Sequence, residues 1–394
     1  MFSYVDRTAL SLLMEPIKVE FKLSDQELGL LSGIAFTLFN AILGLPLARI
    51  ADHYSRSILL SVSLGLWSVL AALGGMAQSF GQLFMSRVGV GIGEAGCIPA
   101  AHSLIADYFP PRHRALAVSI FLVGMQVGLS GGMLAVGFLG QHLSWRAALQ
   151  IVGFAGLPVS ALAYFTLKEP PRPRIVHTAK EPLKGVLAAL LRRRAFAHLT
   201  FGFGLGSVCI SSLIQWLPTY LIRSFGMSIT EVGAWAGAAS GVGGIAGLLT
   251  GGVAATWLAP RDARWELWLP LGTYAACIPF FVLMAFSPAA WFVLVMYSLI
   301  SFMISLGAGV SLAAAQSFAQ PNQRAVAVAL MLFLSSLLGS SIGPYVIGVT
   351  SDFLAPHFGR ESLRYSMLFP CIMLSWSVVH YYLASLNTLR DRLP

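Results

Sequence analysis

The chain predicts an all-α membrane protein with twelve transmembrane helices, and three observations carry that prediction. Of its 394 residues, 57% are hydrophobic and only 10% charged, with a mean hydropathy of +0.76. The apolar residues fall in runs long enough to cross a bilayer, which takes about 20 residues each. The 39 glycines suit helices that must approach closely in lipid, where small residues set the contact distance. No nucleophile–base pair and no cofactor or metal-ligand set is grouped along the chain, so neither an enzyme nor a metal protein is expected. Cys97, Cys209, Cys277 and Cys371 lie singly in apolar runs and read as small buried hydrophobes.

Charged or proline-containing loops divide the runs into spans near 1–14, 26–48, 57–78, 82–106, 114–139, 146–167, 195–222, 230–257, 266–286, 290–316, 324–348 and 364–386. The first span is already in progress at Met1, so that helix reads as truncated at its start. The longest polar stretch, 168–194, contains KEPPRPR and ends LRRR; its later part has the pattern of a short amphipathic helix lying along the membrane. It separates an N-terminal bundle of six spans (1–167) from a C-terminal bundle of six (195–394). The halves echo one another: PPRHRALAVS at 110–119 opens the fifth span and QPNQRAVAVA at 320–329 opens the eleventh. Two parallel six-helix repeats are the arrangement of the major facilitator fold, which handles substrate near mid-bilayer.

Orientation follows from the basic residues. With the N-terminus cytoplasmic, inside loops and tail hold 17 of the 25 Lys and Arg, outside loops hold 6, and Arg7 and Arg87 lie within spans. Both termini are therefore expected inside. The net charge of +9 is accounted for by loops beside anionic lipid, without nucleic acid as a partner.

Four charges interrupt the apolar spans of the first quarter: Asp6 and Arg7 in the first span, Arg87 and Glu94 in the fourth. An ionised side chain in hydrocarbon costs a few kcal/mol or more, so such residues face a bundle interior or a watery cavity and pair with one another. Arg87 and Glu94, seven apart, share one helical face about 10 Å apart along the axis. By depth Asp6 falls between them, so the spacing allows both an Asp6–Arg87 and an Arg7–Glu94 pair and leaves open which acid meets which arginine. Arginine keeps its proton, which leaves Asp6 and Glu94 as the candidate proton carriers, with Arg7 and Arg87 organising an anion or the acids. Tyr4, Ser211, Gln215, Trp216, Met303 and Ser336 are candidates to line a substrate cavity. The loop after the second span, ARIADHYSRS at 48–57, offers Asp52 and Arg56 as a cytoplasmic gate, together with Arg112 and Arg114 of the loop before the fifth span. His102, Gly124-x-x-x-Gly128 and Gly339-x-x-x-Gly343-Pro344 read by default as helix packing.

The chain resembles the Spinster family of major facilitator transporters, most closely a bacterial homologue. The resemblance rests on YVDRTALS at 4–11, RVGVGIGEAG at 87–96, the IADYFPPRHRA run at 105–115 and KEPPRP at 168–173. The first two are shared with the anion:cation symporters of sugar acids; the last two favour Spinster. The resemblance implies a proton-driven carrier working by alternating access, a monomer in the bacterial inner membrane. It also implies an amphiphilic anion of lysophospholipid or sphingoid-phosphate type as cargo, for which a small sugar acid is the alternative. A receptor that binds without transporting is a third reading, disfavoured by the gate loop and the paired acids.

Overall fold

Serine punctuates the helix starts. Ser24, Ser55, Ser79 and Ser144 each accept a hydrogen bond from a backbone N–H of the first turn that follows, and Ser24 and Glu27 form a reciprocal capping box. A second Ser–Glu box, Ser228 with Glu231, opens the helix at Ile229. The computed structural model describes residues 2–170, 183–258, 260–320 and 323–391, and is helical with no strand among them.

In chain order the helices are α1 (Phe2–Phe21), α2 (Asp25–Gly29), α3 (Ala35–His53), α4 (Arg56–Gly74), α5 (Phe80–Glu94), α6 (Cys97–Tyr108), α7 (Pro111–His142) and α8 (Trp145–Thr166). They continue with α9 (Leu183–Arg192), α10 (Arg194–Phe225), α11 (Ile229–Leu258), α12 (Trp265–Ala285), α13 (Ala290–Ser317), α14 (Arg324–Ser335), α15 (Gly343–Phe358), α16 (Ser362–Ser366) and α17 (Phe369–Asp391). Two π-helical turns are inserted, Leu30–Ile34 between α2 and α3 and Ser336–Ile342 between α14 and α15.

Among the described residues, ten helical segments are long and apolar enough to cross a membrane, and the last of these, Val326–Asp391, contains two passes. The remaining pass is α1, whose Asp6, Arg7, Glu15, Lys18 and Glu20 lower its hydropathy. The molecule is thus an all-α protein of twelve spans. Several spans differ locally from the sequence pattern: the first runs to Phe21, beyond the expected 14, and the twelfth is divided between α16 and α17 and runs to Asp391. The fourth is interrupted after Glu94, where α5 gives way to α6 through Ala95 and Gly96. The eleventh runs ten residues beyond the expected 348, to Phe358, through its π turn. The amphipathic segment is observed as α9, with Val186 and Leu190 buried on one face.

The chain forms two compact units. Unit one comprises 1–176 and 215–237, unit two 177–214 and 238–394, so α10 and α11 each contribute to both. In unit one α4 packs on α8, α1 on α7, and α5 on both α3 and α4. Glycine makes the α5 contacts possible. A Cβ on Gly91 would stand 2.3 Å from the Phe36 carbonyl oxygen, and one on Gly93 would stand 2.9 Å from the Trp67 backbone nitrogen. Unit two uses the same device. Gly243, Gly247 and Gly251 of α11 abut the carbonyls of Ser298, Phe302 and Leu306 on α13, each at 2.2–2.5 Å from an added Cβ.

Candidate functional site

Two ion pairs form, and they decide a pairing that the helix spacing leaves open. Arg87 Nη1 donates to Asp6 Oδ2 at 2.9 Å, and Arg7 Nη2 donates to Glu94 Oε1 at 2.6 Å. Arg87 and Asp6 are almost wholly buried, their side chains 2% and 1% exposed. Arg7 differs: its side chain is 26% exposed although Glu94 is 1% exposed. The seven-residue spacing on α5 therefore serves two different partners on α1. The glycines between them admit the neighbouring helices α3 and α4, and Asn40 Nδ2 closes the seam by donating to the Gly91 carbonyl at 3.2 Å.

The pairing leaves capacity unused. Asp6 Oδ1, Glu94 Oε2, Arg7 Nε and both Nε and Nη2 of Arg87 are buried with no hydrogen-bond partner among the described residues. Ser3 Oγ donates to Glu94 Oε1 at 2.8 Å, a contact the sequence does not advertise. The Arg7 guanidinium lies over two rings, 4.7 Å from the Phe36 centroid and 5.1 Å from that of Tyr4. Such stacking holds a cation by its face while its edge stays available for hydrogen bonds. An apolar cavity of about 310 Å³ opens beside this group within unit one, walled by Tyr4, Trp67, Cys97, Phe121 and Met125.

The other cavity candidates are dispersed. Gln215 Nε2 reaches the Ser32 carbonyl in the first π turn at 3.4 Å. Ser211 Oγ lies 3.1 Å from Ser340 Oγ in the second π turn, which Ser336 begins. Met303 is half-buried on α13, and Trp216 is fully buried in the core. Unit two has no buried charged side chain among the described residues; its interior polar groups are neutral, such as the Ser311–Tyr381 hydroxyl pair at 2.6 Å.

Of the gate candidates, Arg56 is placed in a buried cluster, while the side chains of Asp52, Arg112 and Arg114 lie outside the described residues. Arg56 pairs with Asp107, donates to Ser103 Oγ at 2.9 Å and, through Nε, to Glu169 Oε1 at 2.8 Å. Glu169 in turn accepts from the Ser57 N–H at 3.0 Å and from the hydroxyls of Ser55 and Ser57, capping α4. Burial pulls the Glu169 carboxyl upward, but these donors and Arg56 outweigh it and hold its pKa at about 2. Asp107 and Glu169 sit inside the runs IADYFPPRHRA and KEPPRP, yet nothing in either run says that Arg56 is the partner.

A further cluster lies at the other end of unit one. Arg223 donates to both Asp25 oxygens at 2.8 Å and through Nε to Glu15 Oε2 at 2.8 Å, and Lys18 also pairs with Asp25. Each of these residues sits at a span end, where charge is ordinary, so no sequence signal singles them out.

The comparisons with known proteins agree with this architecture. The family model described as Major Facilitator Superfamily matches residues 1–344. An "MFS-type efflux pump" of Mycolicibacterium smegmatis is 35% identical over 395 residues, covering 99% of this chain and 91% of the relative. "Protein spinster homolog 1" of Xenopus tropicalis is 27% identical over 399 residues, covering 93% of this chain and 75% of the relative. A crystal structure of a bacterial homologue of the human lysosomal transporter Spinster, inward-facing and unoccupied, superposes with a TM-score of 0.89 at 28% identity. That match covers 100% of this chain and 96% of the solved one.

Proposed function

Because the chain belongs to the Major Facilitator Superfamily, as a multi-pass membrane transporter related to the Spinster proteins, we propose that it couples protons to the movement of an amphiphilic anion. The carrying observation is the asymmetry of the two ion pairs: Asp6–Arg87 is sealed, whereas Glu94 is held by an arginine that is itself partly exposed. An arriving anionic head competes with Glu94 for Arg7. Loss of that partner in a low-dielectric interior favours the protonated acid, so anion binding and proton uptake reinforce one another. Asp6 is the second carboxylate available to a proton, and it is paired with Arg87. Tyr4 presents its ring to the same guanidinium.

The amphiphilic cargo is supported by the distribution of charge. Unit one supplies the buried cations, and unit two offers a substrate no buried charge among its described residues. The Spinster resemblance points the same way. A small sugar acid is the second reading, favoured by the motifs at 4–11 and 87–96 that are shared with sugar-acid symporters. On this proposal Ser211, Gln215, Trp216, Met303 and Ser336 contribute to the cargo path. Asp52, Arg56, Arg112 and Arg114 form the cytoplasmic gate, joined by Asp107 and Glu169. The monomer sits in the bacterial inner membrane with both termini cytoplasmic and the six-plus-six division at 168–194.

Purified protein in liposomes, loaded with a pH-sensitive dye and offered lysophosphatidate or a sugar acid, tests the reading. An imposed pH gradient is expected to accelerate uptake of the true substrate, and Glu94→Gln and Asp6→Asn are expected to remove that acceleration. Flux that ignores the gradient in the wild type, or coupling that survives both substitutions, refutes the assignment.

A further inference from the structure

One group of buried polar atoms has no role in the ion pairs or the gate. Ser32 Oγ, Gln215 Oε1 and Thr219 Oγ1 have no hydrogen-bond partner among the described residues, and Ser32 and Thr219 are 4% and 1% exposed. Leaving a buried hydroxyl or amide unpaired costs about 1–3 kcal/mol, so native proteins seldom do it without a ligand or an ordered water to satisfy it. Serine and threonine inside helices usually turn back to a carbonyl of the preceding turn, as Thr8 and Ser311 do here. Ser32 and Thr219 do not.

These three atoms belong to one place. Gln215, Thr219 and Arg223 follow one another at four-residue intervals, which sets them along one face of α10. That face lies on the α2 helix and the π turn after it, pinned at two points: Arg223 on Asp25, and Gln215 on the Ser32 carbonyl. Thr219 falls between the pins. The Gln215 contact is long, at 3.4 Å, so it consumes little of the amide's capacity. Two backbone irregularities add to the polarity. The π turn Leu30–Ile34 displaces the regular ladder around Ser32, and Pro218 lacks the N–H that would reach back one turn on α10. On the same helical run as Ser32, one turn further along, Phe36 carries the Arg7 guanidinium over its ring.

We propose that Ser32, Gln215 and Thr219 form a neutral hydrogen-bonding subsite that receives a hydroxyl group of the transported anion, with Ser32 one helical turn from Phe36, the ring over which Arg7 lies. The proposal rests on the transport reading above and narrows it: the cargo is an anion with a hydroxyl close to its charged group. The three groups supply two hydroxyls, each able to donate or accept, and a carboxamide oxygen that accepts, and no formal charge. That chemistry suits an alcohol and discriminates against a bare alkyl chain. The half-buried Gln215 is the member through which the hydroxyl enters. A hydroxyl beside an anion occurs both in the glycerol of a lysophosphatidate and in a sugar acid, so the shared feature is what the subsite reads.

Liposome uptake with two matched pairs of probes tests this. One pair is a dodecanoyl lysophosphatidate and its analogue with the free glycerol hydroxyl replaced by hydrogen; the other is gluconate and 2-deoxygluconate. The wild type is expected to prefer the hydroxylated member of one pair, which identifies the source, by roughly tenfold or more in kcat/KM. Gln215→Leu and Ser32→Ala are each expected to collapse that ratio, and Gln215→Asn to restore part of it, with monodisperse elution and an unchanged melting profile confirming the fold. A ratio that survives both substitutions assigns the orphaned atoms to an ordered water and overturns the subsite. So does a parallel loss of both members of a pair in folded protein. A wild type that carries both members of a pair equally overturns it as well while leaving transport intact. A wild type that moves neither pair refutes the transport reading itself.

Discussion

Two arginines of unit one differ in how far they are buried, and that difference sets what their removal costs. Arg87, 2% exposed, neutralises a carboxylate that is itself 1% exposed, so Arg87→Ala strands Asp6 in hydrocarbon and is expected to cost about 3–5 kcal/mol. Replacing both partners by apolar residues of similar size, Asp6→Leu with Arg87→Met, should recover most of that loss while abolishing coupling. Arg7→Ala should destabilise less, since its 26% exposed side chain already shares its charge with solvent. Melting temperatures of the four proteins in one detergent check the order. These charges were legible because an ionised residue in an apolar run has few innocent explanations. Arg223, Asp25 and Glu15 were not: each is an ordinary charge at a span end, and Arg223 meets partners about 200 residues earlier in the chain. Ser32 and Thr219 were still less visible, because a hydroxyl in a helix normally satisfies itself, and nothing in the sequence marks these two as different.

Helix positions were legible to within a few residues because hydropathy fixes where a span must lie, but their ends and interruptions depend on contacts distant in sequence. Glu169 illustrates this. It follows α8 in the chain and caps α4, more than 100 residues away. Glu169→Gln should cost about 1 kcal/mol by removing a charged cap acceptor and the Arg56 ion pair together. Its pH dependence has a definite sign. The folded pKa, at about 2, lies below the ordinary value of 4.5, so the stabilisation is complete above pH 4.5 and fades as pH falls toward 2. The difference in melting temperature between wild type and Glu169→Gln should accordingly be flat from pH 8 to 5 and narrow below that, as read by a pH series. The packing glycines of α11 were visible only as a composition. Gly247→Ala would push a Cβ to 2.2 Å from the Phe302 carbonyl oxygen, which is backbone and cannot rotate away. By contrast, a Cβ on Gly252 of the same helix meets nothing within 4 Å. Gly247→Ala is expected to lower the melting temperature by several degrees and Gly252→Ala to leave it nearly unchanged.

At the scale of the molecule, the twelve spans and the internal repeat could be read from the chain because lipid imposes a length on every pass. What could not be read is that α10 and α11 change allegiance partway along, since unit membership is decided by packing and not by hydropathy. The basic-residue bias leads to a topology prediction: a fluorescent reporter fused after Leu389 should be active and a periplasmic phosphatase there silent, with the reverse at Phe225. Charge also acts on the whole carrier through the two ion pairs that join α1 and α5. Fully ionised, Asp6, Glu94, Arg7 and Arg87 sum to zero. On the proposed coupling, a proton on either acid leaves one uncompensated positive charge in hydrocarbon, and a single negative charge beside Arg7 cancels it. The buried network is thus electroneutral at one proton per negative charge of cargo. A monoanion then crosses with one proton without sensing the membrane potential, and a dianion needs two.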